Sequence, residues 1–223
     1  MKEYYSIVMI GATGAVGGEA AKVLSEMPQI ERLTLLGRRE NENLKGSSIT
    51  QHVIDLFDPS SYQELLTGHD IAICTLGVGQ PSKMSKEDFV RIDRDVVLNF
   101  ASSCKKEGIQ HFELLSSVGV NSKSASFYLR TKGELENGLR ELNFNRLSLF
   151  HPSMILTPEN RYGLSQKLTL MTWPFVSKLF VGNLRKFRGI PVDILGASIA
   201  KNTTAEKSGV EILEWSDFNK LGK

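Results

Sequence analysis

The sequence predicts an α/β protein built on a doubly wound parallel sheet with helices on both faces. Three observations carry this expectation. Over residues 1–150, short β-branched runs alternate with amphipathic helical patterns. Each run is apolar on both of its faces, as a strand covered by helices on both sides must be. The first run leads without a break into Gly11-Ala12-Thr13-Gly14-Ala15-Val16-Gly17 and then a helix, the local order of a Rossmann-type fold.

In chain order, strands are expected at residues 6–10, 32–36, 49–54, 71–76, 110–115 and 146–150. A helix is expected over 15–27. Another begins at Ser85, which can cap with Asp88, carries Phe89, Ile92, Val96 and Phe100 on one face, and ends near Gly108. A third runs over 127–142, with Leu135, Leu139 and Leu142 at core-facing spacing. From Pro152 the pattern loosens into an apolar segment at 164–181, a shorter helical pattern at 192–200 and a last strand at 210–213. With no internal repeat and no low-complexity linker, residues 1–223 are read as a single domain. Residues 1–150 form its dinucleotide-binding core, and 151–223 a small C-terminal substrate cap on the same domain.

Composition narrows the partners. The chain has 223 residues, 41% hydrophobic and 23% charged, near the globular average. Its 27 basic and 25 acidic side chains leave a net charge of +2, too weak a field for nucleic acid. A small-molecule substrate is expected, on a monomer or homodimer. Cys74 and Cys104 have no metal or disulfide spacing and read as reduced core thiols. No leader pattern precedes the first strand and no apolar run approaches 18 residues, so no membrane partner and a cytoplasmic location are expected. His52, His69, His111 and His151 have no acidic partner at ligand spacing, so no metal is assigned. Met171, Trp173, Phe175 and Phe180 read as core or an oligomer face ahead of a substrate pocket.

The glycine loop carries the first chemistry. Gly11 permits the tight turn, Gly14 lets the backbone approach a pyrophosphate at the helix N-terminus, and Gly17 allows close helix–strand packing. The cofactor-binding candidates here are Gly11, Thr13, Gly14, Ala15 and Val16. At the end of the second strand, where a ribose-binding carboxylate would mark NAD, the chain reads Leu36-Gly37-Arg38-Arg39. Two guanidiniums suit a 2′-phosphate, which favours NADP(H) over NAD(H). The competing reading leaves both arginines in solvent and gives an NAD ribose to Glu40. Asp55 and Leu56 end the third strand where an adenine could lie between an acceptor and an apolar side chain, unless Asp55 only caps a turn. Leu76-Gly77-Val78-Gly79 closes the fourth strand with a loop that can pass under the dinucleotide.

Tyr128 and Lys132 stand at i and i+4 of one helix, so they are neighbours. An ammonium beside a phenol favours the phenolate and fits the phenol for proton exchange with a hydroxyl or carbonyl. The fifth strand ends in Ser116-Ser117, which can hydrogen-bond the same oxygen.

On these motifs the sequence resembles the short-chain dehydrogenase/reductase superfamily in its atypical branch. The match is carried by Gly11–Gly17 of the loop, Leu36-Gly37-Arg38-Arg39, Ser116-Ser117-Val118-Gly119 and Tyr128-Leu129-Arg130-Thr131-Lys132. Within that branch it is similar to the Tat-interacting oxidoreductase-like group, in the run from Phe89 to Asp95, the run from His111 to Ser117, and the closing Leu221-Gly222-Lys223. The resemblance implies a Rossmann fold with NADP(H) and a Ser-Tyr-Lys site. In it Tyr128 is the acid/base, Lys132 lowers its pKa and holds the nicotinamide ribose, and Ser117, or else Ser116, orients the substrate. His151-Pro152-Ser153 departs from the Arg-Pro-Gly common in the family. The function expected is an NADP(H)-dependent oxidoreductase acting on a small carbonyl or alcohol. The alternative is a non-catalytic NADP(H)-binding redox sensor or regulator.

Overall fold

The computed structural model describes residues 3–78, 84–157 and 180–223. Among them the elements run β1 (Tyr5–Ile10), α1 (Ala15–Glu26), β2 (Ile30–Gly37), β3 (Ile49–Val53), β4 (Ile71–Cys74), α2 (Lys86–Val90), a π-helical stretch (Arg91–Val96) and α3 (Val97–Lys106). There follow β5 (His111–Leu115), α4 (Phe127–Glu141), β6 (Arg146–Phe150), β7 (Ile155–Leu156), β8 (Ile190–Pro191), α5 (Val192–Asn202), β9 (Gly209–Leu213) and α6 (Trp215–Leu221).

Seven strands form one parallel sheet in the order β3-β2-β1-β4-β5-β6-β9, while β7 and β8 pair separately. From β1 the chain builds outward through β2 and β3, then returns to the other side of β1 with β4. That reversal opens a crevice at the carboxyl ends of β1 and β4. β1 shows in its own sequence why both faces are covered. Val8 and Ile10 enter the core beneath α3 and α4 with Val97, Phe100, Leu135 and Leu139. Ile7 and Met9 enter the opposite core beneath α1, α5 and α6, with Ala20, Leu24, Leu195 and Phe218. Each such fully buried Val, Ile, Leu, Met or Phe side chain contributes about 1.5–3 kcal/mol.

The structure departs from the expected pattern in three places. Burial on both faces fails at the sheet edges, because an edge strand has one open flank: β3 is only half-buried and Val210 and Ile212 of β9 are half-exposed. The single helix expected from Ser85 does start as foreseen, with Ser85 Oγ accepting from Asp88 N at 3.0 Å. It then widens into the π stretch, which slips the face so that Ile92 is half-buried while the neighbouring Asp93 turns inward at 1% exposure. Gly108, at φ +86°, ends this helical run. Third, the C-terminal region does more than cap. β9 extends the main sheet beside β6, and α5 packs on α1 so closely that a Cβ on Gly196 would lie 2.8 Å from Ala20 N. Most of the apolar 164–181 segment, with Met171, Trp173 and Phe175, falls outside the described residues; Phe180 is half-buried.

A buried polar network ties β5, β6, β9 and α5 together at the end of the sheet remote from the crevice. Arg146 donates to Glu211 Oε1 through Nε and Nη2 at 2.9 and 2.7 Å and to Asn202 Oδ1 at 2.8 Å, and Asn202 donates to Glu113 Oε1 at 2.8 Å. Burial pushes the Glu113 carboxyl up to about 8 and, with the Arg146 charge, holds the His111 imidazole down to about 3. Burial opposes ionisation of Glu211, but Lys207, Ser148 and Arg146 outweigh it and hold that carboxyl at about 2.

Candidate functional site

The glycine loop joins β1 to α1 at the mouth of the crevice. Gly11 has φ +95°, a left-handed conformation costly for other residues, and a Cβ there would lie 2.5 Å from Thr75 Oγ1 and 2.7 Å from Leu76 N. At Gly17 a Cβ would collide with Gly11 O, so α1 can lie against the end of β1 only with glycine here. Gly14 caps α1 without a side-chain hydrogen bond, and no acidic residue occupies the first turn. Among the described residues the first N–H groups of α1 therefore face the crevice without a protein acceptor, and the helix dipole favours an anion there. Gly14 itself is exposed, and among the described residues a Cβ on it would have only Gly11 O within 4 Å, at 3.2 Å. A bare helix end beside an open glycine fits the pyrophosphate of a dinucleotide.

Toward the outside of the sheet, the two arginines diverge. Arg38 borders a slot of about 260 Å³ with Leu56, Phe57, Leu76, Gly77 and Val96, the dimensions and apolar lining of an adenine site. Arg39 lies on the other side, where Thr13, Gly14 and Asn41 share an open groove. Both guanidiniums are exposed and, among the described residues, neither has an ion-pair partner. Asp55 is exposed and does not border the slot; its Oδ1 accepts from Phe57 N at 2.9 Å, forming a turn. Leu56 is buried at 8% exposure against the slot.

Toward the middle of the sheet, a cavity of about 340 Å³ brings together Gly14, Ala15 and Val16 from the glycine loop and the start of α1, Leu76 and Gly77 from the loop after β4, and Ser116, Tyr128 and Lys132. Ser126 starts α4 by accepting from Leu129 N, and the helical spacing then stacks Tyr128 beneath Lys132. Tyr128 packs against Phe89 with ring centroids 5.8 Å apart. Lys132 is 3% exposed. Burial works against its charge, but Asp93 and Tyr128 outweigh that and hold its pKa above the ordinary value. Ser116 borders the cavity, whereas Ser117 Oγ donates to its neighbour's carbonyl, Val118 O, at 3.5 Å.

Two groups in the site went unread in the sequence. Asp93 Oδ1 lies 2.7 Å from Lys132 Nζ, and its Oδ2 accepts from Val78 N at 2.8 Å, so one carboxylate anchors both the lysine and the loop after β4. Only the π stretch points it inward, and no local pattern announced that stretch. Glu136 stands one turn beyond Lys132, where it accepts from Ser116 Oγ at 2.5 Å and lies 2.7 Å from His151 Nε2. The i+4 spacing after Lys132 was a signal that could have found it. His151 thus has an acidic partner after all, one that the chain separates by 15 residues and the fold brings together. Among the described residues no group of three or more His, Cys, Asp or Glu could hold a metal ion.

Residues 11–154 match the NAD(P)H-binding family. Protein HTATIP2 of Rattus norvegicus is 33% identical over 98% of this chain and 89% of its own. The mitochondrial protein FMP52 of Candida albicans is 29% identical over 75% of this chain and 76% of its own. Among solved structures, the Bordetella bronchiseptica enzyme WbmH in complex with NAD+ superposes with a TM-score of 0.69 at 15% identity, covering 95% of this chain and 75% of that one. Several fungal relatives share the mitochondrial designation. They overturn the cytoplasmic location expected from the N-terminal residues: a strand close to the first residue does not fix a compartment.

Proposed function

The chain belongs to the NAD(P)H-binding family, and from that premise we propose that it is an NADP(H)-dependent oxidoreductase acting on a small carbonyl or alcohol through Tyr128, Lys132 and Ser116. The single observation that carries the reading is the meeting of these three side chains in one cavity with the bare N-terminus of α1. Bound there, the nicotinamide cofactor supplies or accepts the hydride. The chain's own residues do the rest. The backbone N–H groups after Gly14 would hold the pyrophosphate, Leu56, Leu76 and Arg38 would hold the adenine, and Arg39 with Thr13 would hold the 2′-phosphate. Tyr128 gives or takes the proton at the substrate oxygen, with the Lys132 ammonium one helical turn away. Ser116, rather than Ser117, faces the substrate.

A screen of carbonyl compounds following NADPH absorbance tests this reading, with Tyr128→Phe as the control. The ring and its packing on Phe89 remain while the acidic proton is lost, so turnover is expected to fall by ~10²–10⁴-fold at nearly unchanged NADPH affinity. A Tyr128→Phe protein that keeps more than about a tenth of its kcat, a barrier change below roughly 1.4 kcal/mol, removes Tyr128 from this role. Tight NADPH binding with no turnover of any compound favours the regulatory alternative.

A further inference from the structure

We propose that Glu136, steadied by His151, is a positioning residue that fixes Ser116 as a hydrogen-bond acceptor toward the cavity, so that the site holds the hydroxyl form of its substrate in preference to the carbonyl form. The inference rests on the oxidoreductase reading above and adds a direction to it.

A serine hydroxyl has one proton to donate and two lone pairs to accept with. Ser116 gives that proton to Glu136 Oε1 at 2.5 Å, the short distance of a charge-assisted hydrogen bond. Glu136 is 4% exposed and Ser116 7%, so water does not compete for the contact. The carboxylate is held from a second side: a carboxylate oxygen only accepts, so His151 Nε2, 2.7 Å away and 6% exposed, carries the proton between them. Arg140 Nη2 stands 3.6 Å from the other oxygen.

The backbone locks this arrangement. Ser116 N donates to Phe150 O at 2.8 Å and His151 N donates to Leu213 O at 2.8 Å, so the ends of β5 and β6 present serine and histidine side by side beneath α4. With its proton committed, Ser116 offers the cavity only lone pairs. A substrate hydroxyl can donate to them, whereas a carbonyl oxygen meets them lone pair to lone pair. Tyr128, able to donate or accept, serves either form. The asymmetry therefore comes from Ser116, and Glu136 sets it.

Two measurements test the proposal. In the free protein, proton NMR is expected to show one far-downfield hydroxyl resonance, protected from water exchange, that vanishes in Ser116→Ala and in Glu136→Gln. Non-reacting ternary complexes then read the polarity, with cyclohexanol titrated in the presence of NADPH and cyclohexanone in the presence of NADP+. Comparing variants cancels the difference between the two cofactor states. The ratio of the two affinities is expected to shift toward the ketone by about tenfold in Glu136→Gln, whose amide can donate to Ser116 and turn the serine proton into the cavity. Ser116→Ala is expected to remove most of the preference, and it keeps the test open should the Glu136 variant not fold. A missing hydroxyl resonance, an affinity ratio that is the same in all three proteins, or a wild type that binds NADPH but neither probe overturns the proposal and leaves the cofactor reading standing. Failure to bind NADPH at all removes both.

Discussion

Asp93 and Lys132 form an ion pair of 2.7 Å with both side chains almost wholly withdrawn from solvent, at 1% and 4% exposure. Such pairs add little over an apolar replacement, but removing one partner strands a buried charge at a cost of about 3–5 kcal/mol. Asp93→Asn is therefore expected to lower Tm by roughly 6–20 °C, using ~2–4 °C per kcal/mol for a chain of this size. Asp93→Asn combined with Lys132→Met is expected to recover part of that loss. Calorimetric melting of the two proteins decides it, and a single variant as stable as wild type would show that the pair is dispensable.

The two arginines are expected to separate by cofactor. Arg39→Ala should reduce an NADPH-over-NADH preference of at least about tenfold, or ~1.4 kcal/mol, because Arg39 lies with Thr13 on the open side where a 2′-phosphate would project. Arg38→Ala should weaken both cofactors together, since it borders the adenine slot. Titration calorimetry with each dinucleotide distinguishes them. Equal affinities in the wild-type protein would refute the NADP(H) assignment.

Two glycines three residues apart should fail in different ways. Gly14→Val is expected to keep the fold and lose cofactor binding, because among the described residues its Cβ meets only Gly11 O, at 3.2 Å, and the side chain enters the open crevice. Gly17→Val is expected to lose the fold, because its Cβ has Gly11 O and Thr75 Oγ1 in the way. Thermal shift with and without NADPH reads both. A Gly14→Val protein stabilised by NADPH to the wild-type extent contradicts the loop assignment.

Stability should fall at both ends of the pH scale, from the network around Arg146. Glu113, at about 8 in the fold against an ordinary 4.5, keeps its proton where the unfolded chain has lost it, so its contribution declines as pH rises from about 4.5 through 8. His111 and Glu211 act in the opposite sense. Held at about 3 and about 2, they favour the fold above their ordinary values of 6.5 and 4.5 and lose that advantage on acidification. Glu113→Gln is expected to flatten the alkaline side, with Tm changing less between pH 5 and 8 than in wild type, a difference of at least ~2–4 °C. An unchanged profile would mean that Glu113 is ionised in the fold.

What the sequence made legible was local. The strand, loop and helix around Gly11–Gly17, the arginines at the end of β2, and Tyr128 with Lys132 on one helix face all lie within a few residues of each other, where turn and helix geometry dictate neighbours. What it hid was assembled at a distance or by irregularity. Asp93 reaches Lys132 only because the helix widens at Arg91–Val96. Ser116, Glu136 and His151 meet only when β5, β6 and α4 converge. Arg146 and Glu211 are 65 residues apart in the chain and pair across adjacent strands. The exposure of β3 follows from its place at the sheet's edge, which strand-by-strand hydropathy does not reveal.

The contact between α1 and α5 also has a consequence for how the molecule is made. The helix that opens the nucleotide site is covered on its far side by a helix some 180 residues later, where Gly196 nests against Ala20. During synthesis the first half of the sheet emerges and pairs while Ala20, Leu24 and Met9 still lack the partners Leu195, Ile199 and Phe218. Contacts so far apart in the chain are slow to close, and the apolar face of the nascent protein stays open until α5 and α6 have been made. The cofactor loop lies on the same helix, so a dinucleotide captured early would hold α1 in place for the last helix to find.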